Sequence, residues 1–177
     1  MTSSDGSTVT GERADLLAML GKARHFIRFT TRDMTDEQAR QRTTVSELTL
    51  GGLIKHVAHV ERTWARFIVH GSKGAPDFSN LSEADYQAWA DGFRLLPDET
   101  LAGALADYEA AAKETDDLVL TLPDLDAGHP LPPAPWNPPG ERWSARRTLL
   151  HIATETAQHA GHADIIRESI DGAKSMG

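Results

Sequence analysis

A glutamate and a histidine stand four residues apart near the end of the chain, at Glu155 and His159. With about 100° of rotation per residue in an α-helix, both side chains lie on one face, one above the other. That face also carries three isoleucines, Ile152, Ile166 and Ile170. Desolvating an ionised group inside an apolar stripe is costly unless something compensates the charge. The pair therefore predicts either a metal site or a buried, hydrogen-bonded Glu–His pair.

A third donor comes from an apolar stripe centred near Val57 and Trp64. His56 lies at the edge of that stripe, about 80° from its centre, whereas His59 lies about 140° away. We expect His56 to reach the interior, and His59 to face outward or to orient a ligand. Two imidazoles and a carboxylate form an open catalytic zinc site, and nickel or iron(II) would also accept this set. The predicted metal ligands are His56, Glu155 and His159.

The remaining histidines carry weaker signals. His162 lies about 60° from His159 on the same wheel, and His151 lies one turn before the carboxylate. We expect both to form hydrogen bonds around the site or to occupy the helix surface. No role is predicted for His25, His70 or His129.

Composition excludes several classes of protein. The chain of 177 residues has no cysteine, so it has no disulfide framework, thiolate zinc finger, iron–sulfur cluster or catalytic thiol of its own. Its 18 basic and 26 acidic residues give a net charge of −8, which disfavours nucleic acid and anionic membranes as partners. Neither a targeting signal nor an apolar run of about 18–20 residues is found, so we expect a cytoplasmic protein. Residues 1–11 are predicted to be flexible.

The elements that must position the donors are helices. Four long amphipathic segments are predicted over residues 12–32, 48–71, 98–121 and 144–172, with short helices after Thr35 and over 82–93. Seven of the nine prolines fall within residues 123–143, which excludes a helix or a central strand and predicts a long crossing loop or a lid. We therefore predict an all-α four-helix bundle in one domain, residues 12–172, with a Pro-rich loop before the last helix.

Two segments resemble a known family. LIKHVAHVERTW (53–64) and HIATETAQHAGHADIIRE (151–168) resemble the DinB-like (YfiT-like) superfamily, in particular its actinobacterial branch of mycothiol-dependent enzymes. The resemblance implies an up-down-down-up bundle with a divalent metal, usually zinc or nickel. One ligand would come from the second helix and two from the fourth. Many members have two histidines on the last helix, and Glu155 replaces the first of them here, as in mycothiol-dependent maleylpyruvate isomerase.

The function implied by the resemblance is a metal-dependent thiol S-transferase. A metal with an open position would lower the pKa of mycothiol, the co-substrate, and the thiolate would attack an electrophile. His162 would relay the released proton or orient a ligand. Walls of the cofactor pocket would include Trp64, Trp136 and Trp143, although core packing explains each of them equally well.

Two other functions fit the same residues. One is a non-catalytic metal- or ligand-binding bundle of the stress response, because a fold does not fix a function. The other is a metal-dependent hydrolase that uses the same open site. The sequence also allows a homodimer through helix faces, but it identifies no surface for one.

Overall fold

The computed structural model of the protein describes residues 9–73 and 81–176. The first eight residues of the predicted flexible segment therefore lie outside the described residues. Within these ranges no helix is both long and apolar enough to cross a membrane. The helices are α1 (Glu12–Phe29), α2 (Asp36–Ala39), α3 (Leu50–His70), α4 (Glu83–Asp91), α5 (Leu101–Thr121) and α6 (Ala145–Asp171), and the strands are β1 (Gly128–Pro130) and β2 (Arg142–Ser144).

Hydroxyl caps fix the starts of three long helices. The side chains of Thr49, Thr100 and Ser144 each accept a hydrogen bond from the backbone N–H three residues later, at 3.0–3.1 Å. Each bond satisfies one N–H that the first helical turn leaves free. The predicted cap at Ser144 is confirmed. The third long helix begins at Leu101 rather than near residue 98, because Thr100 caps it.

Glycines in a left-handed or related conformation end two helices. Gly71 has φ 65° after α3, and Gly172 has φ 78° after α6, both at the predicted ends. The prediction that α1 continues to Arg32 is wrong. The hydroxyls of Thr30 and Thr31 instead bond back to carbonyls three residues earlier, and the chain turns away after Phe29.

The first and last helices run parallel. At their starts, Arg146 of α6 forms an ion pair with Glu12 of α1. Near their ends, Arg167 of α6 donates to the carbonyl of Thr30 at 2.8 Å. Contacts at both ends in the same order are possible only if the two helices point in the same direction.

Helices α3 and α5 also run parallel. Lys55 pairs with Glu99 just before α5 at 2.7 Å, and Arg62 pairs with Asp107 further along at 2.8 Å. Both pairs advance in the same direction along the two helices.

Helix α3 runs antiparallel to α6. Its early residue His56 lies against His159, and its later residue Trp64 lies against His151. The order of directions is therefore up, down, down, up, which confirms the predicted four-helix bundle.

The ends of the Pro-rich segment pair as two short strands, a detail that the prediction of a crossing loop did not include. Gly128 pairs with Ser144 and Pro130 with Arg142 in an antiparallel register. Only the ends of the segment pair, because the prolines between them cannot donate to a ladder. His129, for which no role was predicted, lies with Nε2 3.2 Å from the carbonyl oxygen of Ile68 in the last turn of α3.

A charged layer separates two apolar clusters of the core. One cluster packs around Leu53 and Ile166, and the other around Leu20 and Leu149. Residues of intermediate position along the helices form the layer, in which Arg24 of α1 pairs with Glu61 of α3 and, at 2.8 Å, with Asp116 of α5.

Breaking this charged layer is expected to lower the stability of the fold strongly. Glu61 is fully buried, and its carboxylate accepts hydrogen bonds from two nitrogens of Arg24. A buried ion pair adds little net stability compared with apolar residues, but removing one partner leaves an uncompensated charge. The layer therefore favours the one arrangement of helices in which all three charges meet.

We expect Arg24→Met to lower the free energy of unfolding by about 3 kcal/mol or more, because the fully buried Glu61 carboxylate then loses the guanidinium that compensates its charge. The matched control is Arg62→Met, which removes the cation of the more exposed pair with Asp107 and should cost about 1 kcal/mol or less. Urea unfolding followed by circular dichroism compares the two. Equal losses would contradict the importance of the buried layer.

Candidate metal centre

The three predicted ligands lie together between α3 and α6. One nitrogen of His56, one carboxylate oxygen of Glu155 and one nitrogen of His159 all lie within 4.8 Å of one another. The Nε2 atom of His159 is 3.7 Å from Oε2 of Glu155. The rings of His56 and His159 meet edge to face, with centroids 4.7 Å apart.

The fold explains why these side chains meet. Glu155 and His159 are one helical turn apart on α6, and the antiparallel packing sets His56 of α3 opposite that turn. The side chains of His159 and Glu155 are 14% and 31% exposed, so the carboxylate marks the open side of the cluster. His59 is exposed, which agrees with the outward position that its place on the wheel allows.

The donors fit a divalent cation such as zinc. In a tetrahedral site, two nitrogen or oxygen ligands at normal bond lengths stand about 3.3 Å apart. The 3.7 Å separation within the Glu155–His159 pair is close to that value. The other donor atoms lie within 4.8 Å of one another, and rotations of the side chains would shorten those distances. That these residues bind a metal remains a prediction.

Burial keeps the imidazoles neutral. Burial and, to a smaller extent, the nearby histidines His159 and His59 together lower the pKa of His56 to about 4. The pKa of His159 is also lowered, mainly by burial, although the Glu155 carboxylate opposes that shift. Neutral imidazoles are the form that binds metals, so both nitrogens are free for an ion at neutral pH.

His162 lies behind His159. The Nδ1 atoms of the two rings are 3.4 Å apart. If Nε2 of His159 binds an ion, its Nδ1 carries the proton and points at Nδ1 of His162, which must then act as the acceptor. The lone pair on Nδ1 of His162 would then be occupied by this hydrogen bond.

Phe93 is a site residue that the sequence analysis missed. Its ring stacks on His56, with centroids 4.2 Å apart and planes inclined by 22°. A metal-binding histidine is usually oriented by a hydrogen bond to its second nitrogen. Here the face of Phe93 and the edge of His159 constrain the ring of His56.

Two glycines bring Phe93 close to α3. A Cβ atom on Gly52 would lie 1.8 Å from the carbonyl oxygen of Phe93, and one on Gly51 would lie 2.3 Å from the side chain of Leu95. The ammonium of Lys55 holds the same turn by donating to the carbonyl of Asp91 at 3.1 Å. The Gly-Gly pair at the start of α3 was the only sequence signal for this close contact.

An aromatic cluster lies two turns along α3 from His56. Trp64 stacks on Trp143 of β2 at 4.9 Å between centroids, and the ring of His151 contacts both indoles edge to face. The guanidinium of Arg147 covers Trp143. The cluster attaches the Pro-rich hairpin to the seam between α3 and α6, one turn of α6 before Glu155.

The third predicted pocket residue, Trp136, lies in the Pro-rich segment between β1 and β2. It is 68% exposed. The roles of Trp64, Trp136 and Trp143 in binding a co-substrate stay predictions.

We expect Phe93→Leu to weaken zinc binding about tenfold, because the ring of His56 loses the surface that orients it. Phe93→Tyr should restore the affinity. The matched control is Phe29→Leu, since Phe29 stacks on His25 on α1, a histidine that is not a predicted ligand. Competition with a chromophoric chelator measures the affinity, and equal weakening in both leucine variants would contradict the positioning role.

Comparisons with known proteins bear on this arrangement. The structure is similar to that of a conserved protein from Enterococcus faecalis, with a TM-score of 0.63 and 18% identity over 93% of this chain and 100% of the other. It is also similar to YfiT from Bacillus subtilis, described as a probable metal-dependent hydrolase with an unusual four-helix bundle topology. That likeness has a TM-score of 0.62 and 17% identity, and covers 90% of this chain and 88% of YfiT. At these identities the likeness establishes the fold.

The sequence itself identifies the family. A search of the curated proteins finds no significant match. The family model of mycothiol-S-transferase, however, matches residues 15–172, which include all four long helices except the first three residues of α1. The match spans the three predicted ligands and confirms the resemblance found in the sequence. The chain belongs to the mycothiol-S-transferase family.

Proposed function

We propose that this protein is a metal-dependent transferase that joins a low-molecular-weight thiol, mycothiol, to an electrophilic substrate. The observation that carries the proposal is the cluster of His56, Glu155 and His159 in a member of this family. The chain has no cysteine, so a reactive sulfur must come from a co-substrate. We expect this reaction in the cytoplasm, where small thiols are kept reduced.

The three clustered residues would hold the ion, with zinc as the expected metal. When bound, a divalent cation lowers the pKa of a thiol that coordinates it, so that thiolate is present at neutral pH. His56 and His159 would contribute ring nitrogens, and Glu155 would contribute a carboxylate oxygen on the more exposed side of the cluster. That side would admit the co-substrate.

The reaction balances without an oxidant or a reductant. The S–H bond of the thiol breaks, and its sulfur forms a bond to an electrophilic carbon of the substrate. At that carbon either the bond to a leaving group or a π bond breaks, and the proton ends on the group or atom that takes the released electron pair. We assign His162 to orienting His159 rather than to relaying this proton, because its Nδ1 faces Nδ1 of His159 at 3.4 Å.

The aromatic cluster would form one wall of the binding site. Trp64 and Trp143 are half-buried and lie on the seam that contains the ligands. Trp136 would contribute from the Pro-rich segment between β1 and β2. These roles predict that truncating a tryptophan raises KM more than it lowers metal content.

We expect Glu155→Ala and His159→Ala to abolish retention of zinc during purification, because two remaining donors bind an ion weakly. His59→Ala is the matched control, since His59 is exposed on the same stretch of α3 and should keep the metal. Elemental analysis of the purified variants measures this. Full metal occupancy in the Glu155 variant would contradict the ligand assignment.

We expect the zinc-loaded protein to form a mycothiol adduct with a fluorescent electrophile. Chelation of the metal should abolish the reaction, and adding zinc back should restore it. Mass spectrometry of the product identifies the new S–C bond. A protein that holds stoichiometric zinc but forms no adduct with any of a panel of electrophiles would contradict the transferase. Hydrolysis of esters or amides by that protein would then support a hydrolase. If no substrate is turned over, a non-catalytic metal-binding bundle would be supported instead.

A further inference from the structure

The outer face of α6 carries no charge over four turns. The exposed residues on this face recur at helical spacing on the side opposite the core. We call them the outer α6 face: Leu150, Thr154, Ala157, Gln158, Gly161 and Ile165.

Such a face is unusual on this protein. Charged residues make up 25% of the chain, and exposed helix faces normally carry them. Leu150 and Ile165 at its two ends are 49% and 63% exposed. The hydroxyl of Thr154 donates to the carbonyl of Leu150 at 2.8 Å, so its hydrogen is already used within the helix. The face therefore offers apolar and small groups to a neighbour.

Gly161 has no explanation within the single chain. It lies inside a helix, where glycine costs about 0.5–1 kcal/mol relative to alanine. A Cβ atom placed there would meet no atom of the described residues within 4 Å. A bare backbone at this position lets another helix approach closely.

Two copies of this face can pack against each other as antiparallel helices. The midpoint of the face lies between Ala157 and Gln158, and a two-fold axis placed there pairs each residue of one copy with one residue of the other. Leu150 then faces Ile165 of the second copy, and Thr154 faces Gly161.

The charges that border the face obey the same symmetry. Arg147 lies one turn before Leu150, and Glu168 lies one turn after Ile165; both are exposed. Within one chain Arg147 pairs with Glu141 and Glu168 pairs with Lys174, each at 2.8 Å. In this register Arg147 also faces Glu168 of the second copy at each end of the pair, so each exposed group gains a second partner of opposite charge.

We propose that the outer α6 face binds a second copy of this chain, as an antiparallel pair of α6 helices about a two-fold axis. An uncharged contact also keeps like charges of the two copies, each with a net charge of −8, out of the interface itself. The candidate metal centre stays accessible, because Glu155 points about 110° away from the middle of the face.

A groove elsewhere on the molecule provides a control for the outer α6 face. It lies between α1 and α5 and has a volume of about 940 Å³. Its lining includes Arg24, Arg28, Lys113 and Asp117, so an apolar helix would have to desolvate several charges there. Gly21 borders it and, like Gly161, is a helical glycine with open space at its Cβ.

Matched glycine substitutions test the proposal. Sedimentation velocity over about a hundredfold range of protein concentration should show a dimer that dissociates on dilution. Gly161→Arg should weaken the dimer at least about tenfold, because the side chain fills the contact, whereas Gly21→Arg should leave it unchanged. Both substitutions fit the monomer, and circular dichroism checks that helix content is retained. A wild-type monomer at every concentration, or a dimer broken only by Gly21→Arg, would overturn the proposal.

A cross-link tests the register directly. Because the chain has no cysteine, Ala157→Cys places a single thiol beside the two-fold axis. Mild oxidation should give a disulfide-linked dimer in high yield. Ala18→Cys, on an exposed position of α1, should cross-link only slowly. Equal rates for the two variants would contradict the antiparallel pairing.

Discussion

Antiparallel packing of α3 against α6 is the constraint on which the candidate site depends. It sets His56, in the first half of α3, against the middle of α6, where one turn contains Glu155 and His159. Because His56 lies on a different helix from Glu155 and His159, a shift of one turn between α3 and α6 would move His56 about 5 Å from the other two donors. The chemistry therefore requires a fixed register between these two helices.

Several contacts outside the site hold that register. The buried charges of Arg24, Glu61 and Asp116 connect three helices at one level of the bundle. The stack of Trp64 on Trp143 fastens the hairpin to the α3–α6 seam at one end. At the other end, the turn that carries Phe93 docks on the glycines that begin α3. The cluster of donors lies between these two aromatic contacts.

Periodicity and capping predict most of the bundle because they are local properties of the chain. Four long helices, the cap at Ser144 and the inward positions of His56 and Glu155 all follow from spacing alone. Phe93 escaped prediction because its contact with His56 joins residues distant in sequence. The buried position of Glu61 was predictable but was not predicted. A carboxylate on the apolar stripe of α3 requires a buried partner for the same reason as Glu155, and Arg24 is that partner. The pairing of β1 with β2 was hidden by the prolines between them.

The proposed chemistry requires one ion bound by His56, Glu155 and His159. A crystal structure of the zinc-loaded protein, with diffraction data collected on both sides of the zinc absorption edge, locates that ion directly. We expect one strong anomalous peak about 2.0–2.2 Å from a nitrogen of His56, an oxygen of Glu155 and a nitrogen of His159. A peak at another set of residues, or a hydrogen-bonded Glu155–His159 pair with no ion beside it, would contradict this assignment.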